Sequence, residues 1–265
     1  MSEQTLGGYG AGSPQPAPQQ QTPQHFQAKA LAVARAFMPK KVVGYKKVRL
    51  GRGFDGGYIH VDDFSSVGAA LSLGISGDVS WDLDIARRNI HVHQFDHTIE
   101  KAPVDDPMFS FHKLRVAATD GISAISLNSV VQRFLAECDR AILKIDIEGD
   151  EWAVFHAASV ATLAKFSQIV CEFHRLEYAG DPSRSEQYLA VLNKLRSVFE
   201  VVHVHGNNYE PFVNIANLVL PMVLEVTFAN RNYFQFTETD EIFPTPLDRP
   251  NLPDKPDMRL GCFKF

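Results

Sequence analysis

The sequence is short of the features that mark several common protein classes. It has only 3 cysteines in 265 residues, Cys138, Cys171 and Cys262, too few and too scattered for a disulfide framework or a cysteine-ligated zinc site. It has no uninterrupted apolar run of the ~18 residues that a helical span requires. The most apolar segment, VNIANLVLPMVLEV, is broken by Asn217, Pro221 and Glu225. There is no basic excess: Lys plus Arg total 26 against 31 Asp plus Glu, a formal net charge of −5. That argues against the dense positive surface on which duplex recognition rests. No basic start followed by an apolar stretch is present, so a secretory signal is not expected, and no internal repeat is found. What remains is 45% hydrophobic and 22% charged residues, ordinary for a soluble globular protein with a real core. The expectation is a cytoplasmic protein that engages neither membrane nor nucleic acid.

Composition divides the chain into four parts. Residues 1–24 are Gly, Pro and Gln with almost nothing to bury, and read as a disordered tail. Residues 25–64 read as a helix, with Phe26, Ala30, Val33 and Phe37 at helical spacing and Pro39 as its stop. Two short strands follow around an Asp55-Gly56-Gly57 turn. Residues 65–240 alternate strand and helix. Strands are expected at 69–74, 90–96, 112–118, 141–147 and 168–173, with helices from Asp78 to about Asn89, from Ser126, and from Asp181-Pro182-Ser183 with Ser183 and Glu186 as a capping box. The last two strands, 200–205 and 223–228, lie too close together for a helical crossover. Residues 241–265 are Pro-rich and expected to lie extended on the surface. Such alternation predicts an α/β protein with a largely parallel sheet, covered on both faces.

In such sheets ligands bind beyond the carboxyl ends of the strands. After the first comes Gly74-Ile75-Ser76-Gly77-Asp78, a glycine turn opening a helix, where backbone N–H groups can meet an anionic group. The spacing lacks the G-x-G-x-x-G fingerprint of dinucleotide sites. Asp96 ends the next strand about 20 residues on, where a carboxylate can accept from both hydroxyls of a ribose; the alternative is a turn aspartate. Asp146 and Glu148 follow the fourth strand, and Glu172 and His174 end the fifth. A histidine near neutrality is a good base, and carboxylates can orient it or bind a cation. Asp146 with Glu172 or His174 has the oxygen and nitrogen donors that could hold Mg²⁺. Asp146 serves the site or ties the following turn, and Glu148-Gly149 reads first as a turn-shaping pair. Lys144, inside a buried strand, predicts a carboxylate partner. His203 and His205, with Asn207 and Asn208, either line the acceptor pocket or, the preferred reading, form an edge strand with solvated imidazoles, and His91 and His93 read as structural. Lys40, Lys41, Lys46, Lys47, Arg49 and Arg52 form the one basic cluster, read as a solvated hairpin face.

SLGISGDVSWD, QFDHTIE and LKIDIEGDEW, in that order, resemble the FkbM-type S-adenosylmethionine-dependent methyltransferases, as does the upstream DGGY. The most telling segment is K-x-D-x-E-G-x-E at the end of a central strand. The likeness spans roughly residues 45–235. It implies a Rossmann-like seven-stranded methyltransferase sheet, mostly parallel with the last strand antiparallel, helices on both faces, and an N-terminal helix plus hairpin. By that resemblance Gly74 and Gly77, with Ser76 between them, flank the methionine part of S-adenosylmethionine. Asp96 holds the ribose, His97 lies beside it, and the loop around Asp120 approaches the adenine. Asp146, Glu172 and His174 are the candidate catalytic residues, acting on oxygen of a small-molecule acceptor such as a sugar or secondary metabolite. The alternatives are a nucleotide-dependent oxidoreductase, disfavoured by the incomplete glycine fingerprint, and a non-catalytic adenosyl-ligand-binding protein, which would not need the three strand-end groups together.

Overall fold

The structure, a computed structural model, describes residues 22–265. Most of the expected tail, residues 1–21, lies outside the described residues. Helix α1 (Pro23–Ala36) begins inside the expected tail, with Pro23 where a missing N–H costs nothing. Strand β1 (Lys41–Val42) leads into the hairpin β2 (Lys47–Leu50) and β3 (Tyr58–Val61), antiparallel as expected. The alternating region runs β4 (Ala69–Leu73), α2 (Ser80–Ala86), β5 (His91–Phe95), β6 (Phe109–His112), β7 (Arg115–Ala117), β8 (Ala124–Ser126) and α3 (Leu127–Phe134). It continues through β9 (Ala141–Ile145), α4 (Glu151–Ala157), α5 (Val160–Ala164), β10 (Phe166–Phe173), a 3₁₀ turn (Leu176–Tyr178), α6 (Pro182–Arg196) and β11 (Phe199–Gly206). A small hairpin, β12 (Phe212–Ile215) and β13 (Leu218–Pro221), precedes β14 (Leu224–Asn230) and β15 (Phe236–Thr237).

The central sheet of the described residues has seven strands in the order β11–β14–β10–β9–β4–β5–β6. β14 is antiparallel to both its neighbours, and the other pairings are parallel. The last strand is therefore the antiparallel one, as expected. The chain steps one way from β4 to β6 and the other way from β9 to β10, so strand order reverses between β4 and β9. That reversal opens a crevice above their carboxyl ends.

Alternation along the strands splits the core. Ala69, Leu71, Leu73, Leu143, Ile145, Ile169, Cys171 and Phe173 join the cluster under α1 and α3–α6. Ala70, Ile142 and Val170 pack with Leu50, Tyr58, Trp81 and Ile85, so the opposite face is covered by α2 and the hairpin. No helix among the described residues is long and apolar enough to cross a membrane.

Several local expectations are corrected. The sheet strand is Phe109–His112, not 112–118; Arg115–Ala117 instead pairs with Ala124–Ser126 in a separate ladder. Asp78 does not cap α2: its carboxylate accepts from the Ser80 hydroxyl (2.9 Å) and faces Arg52 (3.6 Å). At α6 the cap is Asp181, accepting from the Arg184 N–H (2.9 Å), and Ser183 donates to Asp181 in place of a capping box.

The Pro-rich extension is no surface strap. Phe243, Asp248, Asn251, Met258 and Phe263 are all buried, and they cover the β11 edge. His203 and His205 are consequently not solvated. His203 Nε2 pairs with Asp248 (2.8 Å), while His205 lies between Glu225 (2.9 Å) and Asp257 (2.9 Å). Nor is the basic cluster uniformly a solvated face. Lys40 pairs with Glu200 (3.0 Å) and Lys47 with Glu241, and Arg49 donates to the carbonyls of Arg52 and Phe54. Lys41 and Lys46 remain exposed.

Candidate functional site

The crevice starts at Gly74, which has φ +77°. A Cβ here would sit 1.7 Å from the carbonyl oxygen of Asp146, so only glycine lets the ends of β4 and β9 converge. Beyond it, the Ile75 and Ser76 N–H groups donate to one oxygen of Asp96 (3.1 and 2.8 Å), and the Thr98 N–H and hydroxyl donate to the other (2.7 and 2.6 Å). Burial raises the Asp96 pKa, but the Thr98 hydroxyl and the Ser76 and Thr98 N–H groups outweigh it and hold the group below the usual carboxylate value. A cavity of about 300 Å³ opens here, polar at Ser76, Asp96, His97 and Thr98 and apolar at Phe95, Leu114, Val116 and Ile147. Arg115 Nε donates to Asp150 (2.8 Å) at its rim. A Cβ on Gly77 would meet nothing within 4 Å.

Asp120 is not brought to this cavity. Its two oxygens accept from the Ser126 N–H (2.7 Å) and the Ser129 hydroxyl (2.6 Å), fixing the start of α3.

A second cavity of about 380 Å³ adjoins the first, sharing Asp146 and Glu148. It is lined by Asp55, Glu172, His174, Asn207, Tyr209 and Glu210 besides. Asp146, Glu172 and His174 therefore meet in one place. The Tyr58 hydroxyl donates to Asp146 (3.1 Å), and the Asn207 amide donates to Glu172. Glu172 is buried, and burial first, then the charges of Asp146 and Glu225, push its pKa well up. Burial, then Asp146 and Glu172, likewise keeps the Tyr58 hydroxyl protonated. Asp55 is raised by burial, against the Asn251 hydrogen bond.

His174 is oriented from behind. Its Nδ1 faces the Glu151 carboxylate (3.2 Å), while Nε2 lies 3.5 Å from Glu148. Glu151 is fully buried, and the same oxygen accepts from the Ile147 and Gly149 N–H groups (2.9 and 3.1 Å). With Nδ1–H donated to Glu151, the Nε2 lone pair points to the crevice side. Burial lowers the His174 pKa, but the Glu151 hydrogen bond and the charges of Glu151, Asp146 and Glu148 reverse this to a net increase. Glu148 has φ +58° and precedes Gly149 at +107°, a tight turn that carries its side chain out into solvent. One donor atom each from Asp146, Glu148 and His174 lie within 4.8 Å of one another.

Lys144 finds no hydrogen-bonded carboxylate. Its ammonium donates to the Gly74 carbonyl (2.5 Å) and lies 5.7 Å from the Tyr58 ring; Asp82 acts on it through charge alone. His91 bonds the Ser110 hydroxyl (2.9 Å), and His93 stacks on His112 with burial holding its pKa down to about 4.

Residues 68–209, more than half of the chain, match the family model of the methyltransferase FkbM domain. The chain belongs to the FkbM methyltransferase family. No curated protein matches it significantly. Among solved structures, "Putative hemolysin from Streptococcus thermophilus" aligns with 10% identity and a TM-score of 0.33, covering 75% of each chain. The methyltransferase CalO6 aligns with 13% identity and a TM-score of 0.26, covering 63% of this chain and 58% of the other. Neither likeness bears on function.

The FkbM domain supplies Gly74, Asp96, Asp146, Glu172 and His174, but Asp55 and Tyr58 precede the matched residues. Glu151, Tyr58, Asp55 and Asn207 were not among the predicted site residues. A signal for the first existed: Glu151 is the final glutamate of the K-x-D-x-E-G-x-E segment. Asp55 and Tyr58 belong to the DGGY turn. Asn207 lies at a strand end where an acceptor-pocket role was weighed against a solvated edge, and its place in the cavity depends on β11 lying near Glu172 across β14.

Proposed function

We propose that this FkbM methyltransferase uses S-adenosylmethionine to methylate a hydroxyl of a small-molecule acceptor. One observation carries the reading: the glycine-turn cavity and the cavity holding His174 adjoin, with Asp146 and Glu148 lining both. The chemistry of the first cavity fits the cofactor. Phe95, Leu114 and Val116 offer apolar surface for a base, and Asp96, His97 and Thr98 polar groups for a diol; Gly77 does not line the cavity. Bound there, the sulfonium would supply an activated methyl group.

The acceptor belongs in the second cavity. Methyl transfer is an in-line displacement, so alignment of the acceptor oxygen is the main task and loss of its proton the second. His174 takes that proton on Nε2, and Glu151, buried behind it, stabilises the imidazolium. Asp146, fixed by Tyr58, and Glu172 offer carboxyl groups to orient neighbouring hydroxyls of a sugar or similar polyol. Asp146, Glu148 and His174 also fit a divalent cation, which would act as a Lewis acid on the acceptor oxygen.

A screen of polyhydroxylated acceptors with methyl-labelled cofactor tests the reading. With an acceptor in hand, His174→Ala is expected to lower kcat by about 10²–10⁴, the usual contribution of a positioned base, with S-adenosylhomocysteine affinity unchanged. Full turnover in that variant would remove His174 from the chemistry. Turnover abolished by EDTA and restored by Mg²⁺ would favour the cation.

A further inference from the structure

A third cavity is larger than either of these two. It measures about 670 Å³ and lies between α4 and α6, where Ala153 and Ala157 on one helix face Arg184, Gln187 and Tyr188 on the other. The room exists because the α4 positions and Gly149 carry almost no side chain. Glu148 lines this groove as it lines the other two cavities, so the groove opens onto the reaction crevice. Its floor is tied to the same strand end. Trp152 stacks on Tyr188 (3.8 Å, 19°) and donates from its indole to the His174 carbonyl (2.8 Å), and the Tyr188 hydroxyl donates to the Arg175 carbonyl (2.9 Å).

The groove carries the carboxylates of Glu148 and Asp150, both shared with the glycine-turn cavity and the second paired with Arg115, and beside them a group of side chains of different chemistry. Tyr178 is 46% exposed, a ring with a free face. The Arg184 guanidinium has no carboxylate within 4.0 Å among the described residues, and that of Arg175 only a long contact to Glu177 (3.9 Å). Arg175 stands in the left-handed region at φ +70°, uncommon for a branchless cationic residue and consistent with a backbone held for its side chain's position. Two guanidinium groups beside an exposed aromatic ring match a sugar ring carrying an anionic group.

We infer that this groove binds the acceptor's distal part, and that the acceptor is an anionic sugar, with a carboxylate or phosphate held by Arg175 and Arg184 and a ring seated on Tyr178. The assignment rests on the methyltransferase reading for the word acceptor, but the groove's ligand chemistry does not.

The test uses Trp152 fluorescence, since the other of the 2 tryptophans, Trp81, is buried on the opposite face of the sheet. The full chain is titrated with glucuronate, glucose 1-phosphate and uncharged glucose, and S-adenosylhomocysteine binding is measured separately by calorimetry. The expected result is a saturable response to at least one anionic sugar, weakened about tenfold or more in Arg184→Ala, as loss of a charged hydrogen bond would give. The response is also expected to vanish in Ala153→Phe, which fills the groove from an exposed position. Which anion responds tells carboxylate from phosphate. No response to either anion, an equal response to glucose, or a response indifferent to both variants overturns the proposal. Anionic sugar binding without any S-adenosylhomocysteine binding would instead fail the methyltransferase reading and leave the groove standing.

Discussion

Asp96 carries four hydrogen bonds and lines the glycine-turn cavity, so it holds the wall of the crevice as well as offering itself to a diol. Replacing it with alanine removes the acceptor for three backbone N–H groups. We expect Asp96→Ala to weaken S-adenosylhomocysteine by about 1–3 kcal/mol, the range for stranded polar partners; calorimetry showing unchanged affinity would take Asp96 out of the site.

His60 shows a second residue-scale effect. It is fully buried, accepts from the Trp81 indole (2.9 Å), and burial holds its pKa down to about 3. In the unfolded chain a histidine titrates near ~6.5. The unfolded state therefore takes the proton first, and stability falls as pH drops from about 6.5 toward 3. His60→Gln keeps an acceptor for Trp81 without the titration. Its Tm should fall less than the parent's between pH 7 and pH 4, and equal slopes would show that His60 is not held neutral.

At the scale of elements, the C-terminal extension backs the acidic cavity from outside its lining. Asn251 donates to Glu225 and lies 3.4 Å from Asp55, which lines that cavity. Glu225 also pairs with His205, whose pKa is pushed up to about 10: burial lowers it, but Glu225 and Asp257 more than reverse this. That pair contributes fully below the unfolded value near ~6.5 and is lost as pH rises through about 10. Asn251→Ala should cost about 1–3 kcal/mol by chemical denaturation, since it leaves a buried carboxylate short of a donor; a loss under about 0.5 kcal/mol would show the contact to be incidental.

None of this was legible locally. His-x-His in a strand followed by Asn residues has the pattern of an exposed edge, and Pro-rich segments ordinarily lie on surfaces. What buries them is a partner some 50 residues away in sequence. The strand at 109–112 was misplaced for a related reason: Phe109, Ser110, Phe111 and His112 are all half-buried, so the outermost strand of the sheet has no clear period of two.

At the scale of the whole molecule, the fold was legible because alternation of apolar strands and amphipathic helices is a repeated signal that survives local errors. The largely parallel sheet and the strand-end positions of Asp146, Glu172 and His174 follow from it, while the antiparallel last strand was implied by the family resemblance. Asp120 shows the limit, since a carboxylate ahead of a helix serves equally well to brace its first turn, and here it does so through Ser126, the N-cap, and Ser129. Glu151 shows the opposite limit: its place behind His174 depends on how β9 and β10 lie side by side, which no spacing reveals.

The central claim is that the crevice between β4 and β9 accepts an adenosyl sulfonium ligand. Isothermal titration of the full chain with S-adenosylhomocysteine and, separately, with NAD tests it most directly. Saturable binding of S-adenosylhomocysteine with none of NAD is the expected result, and no S-adenosylhomocysteine binding at millimolar concentration, or binding of NAD alone, would contradict it.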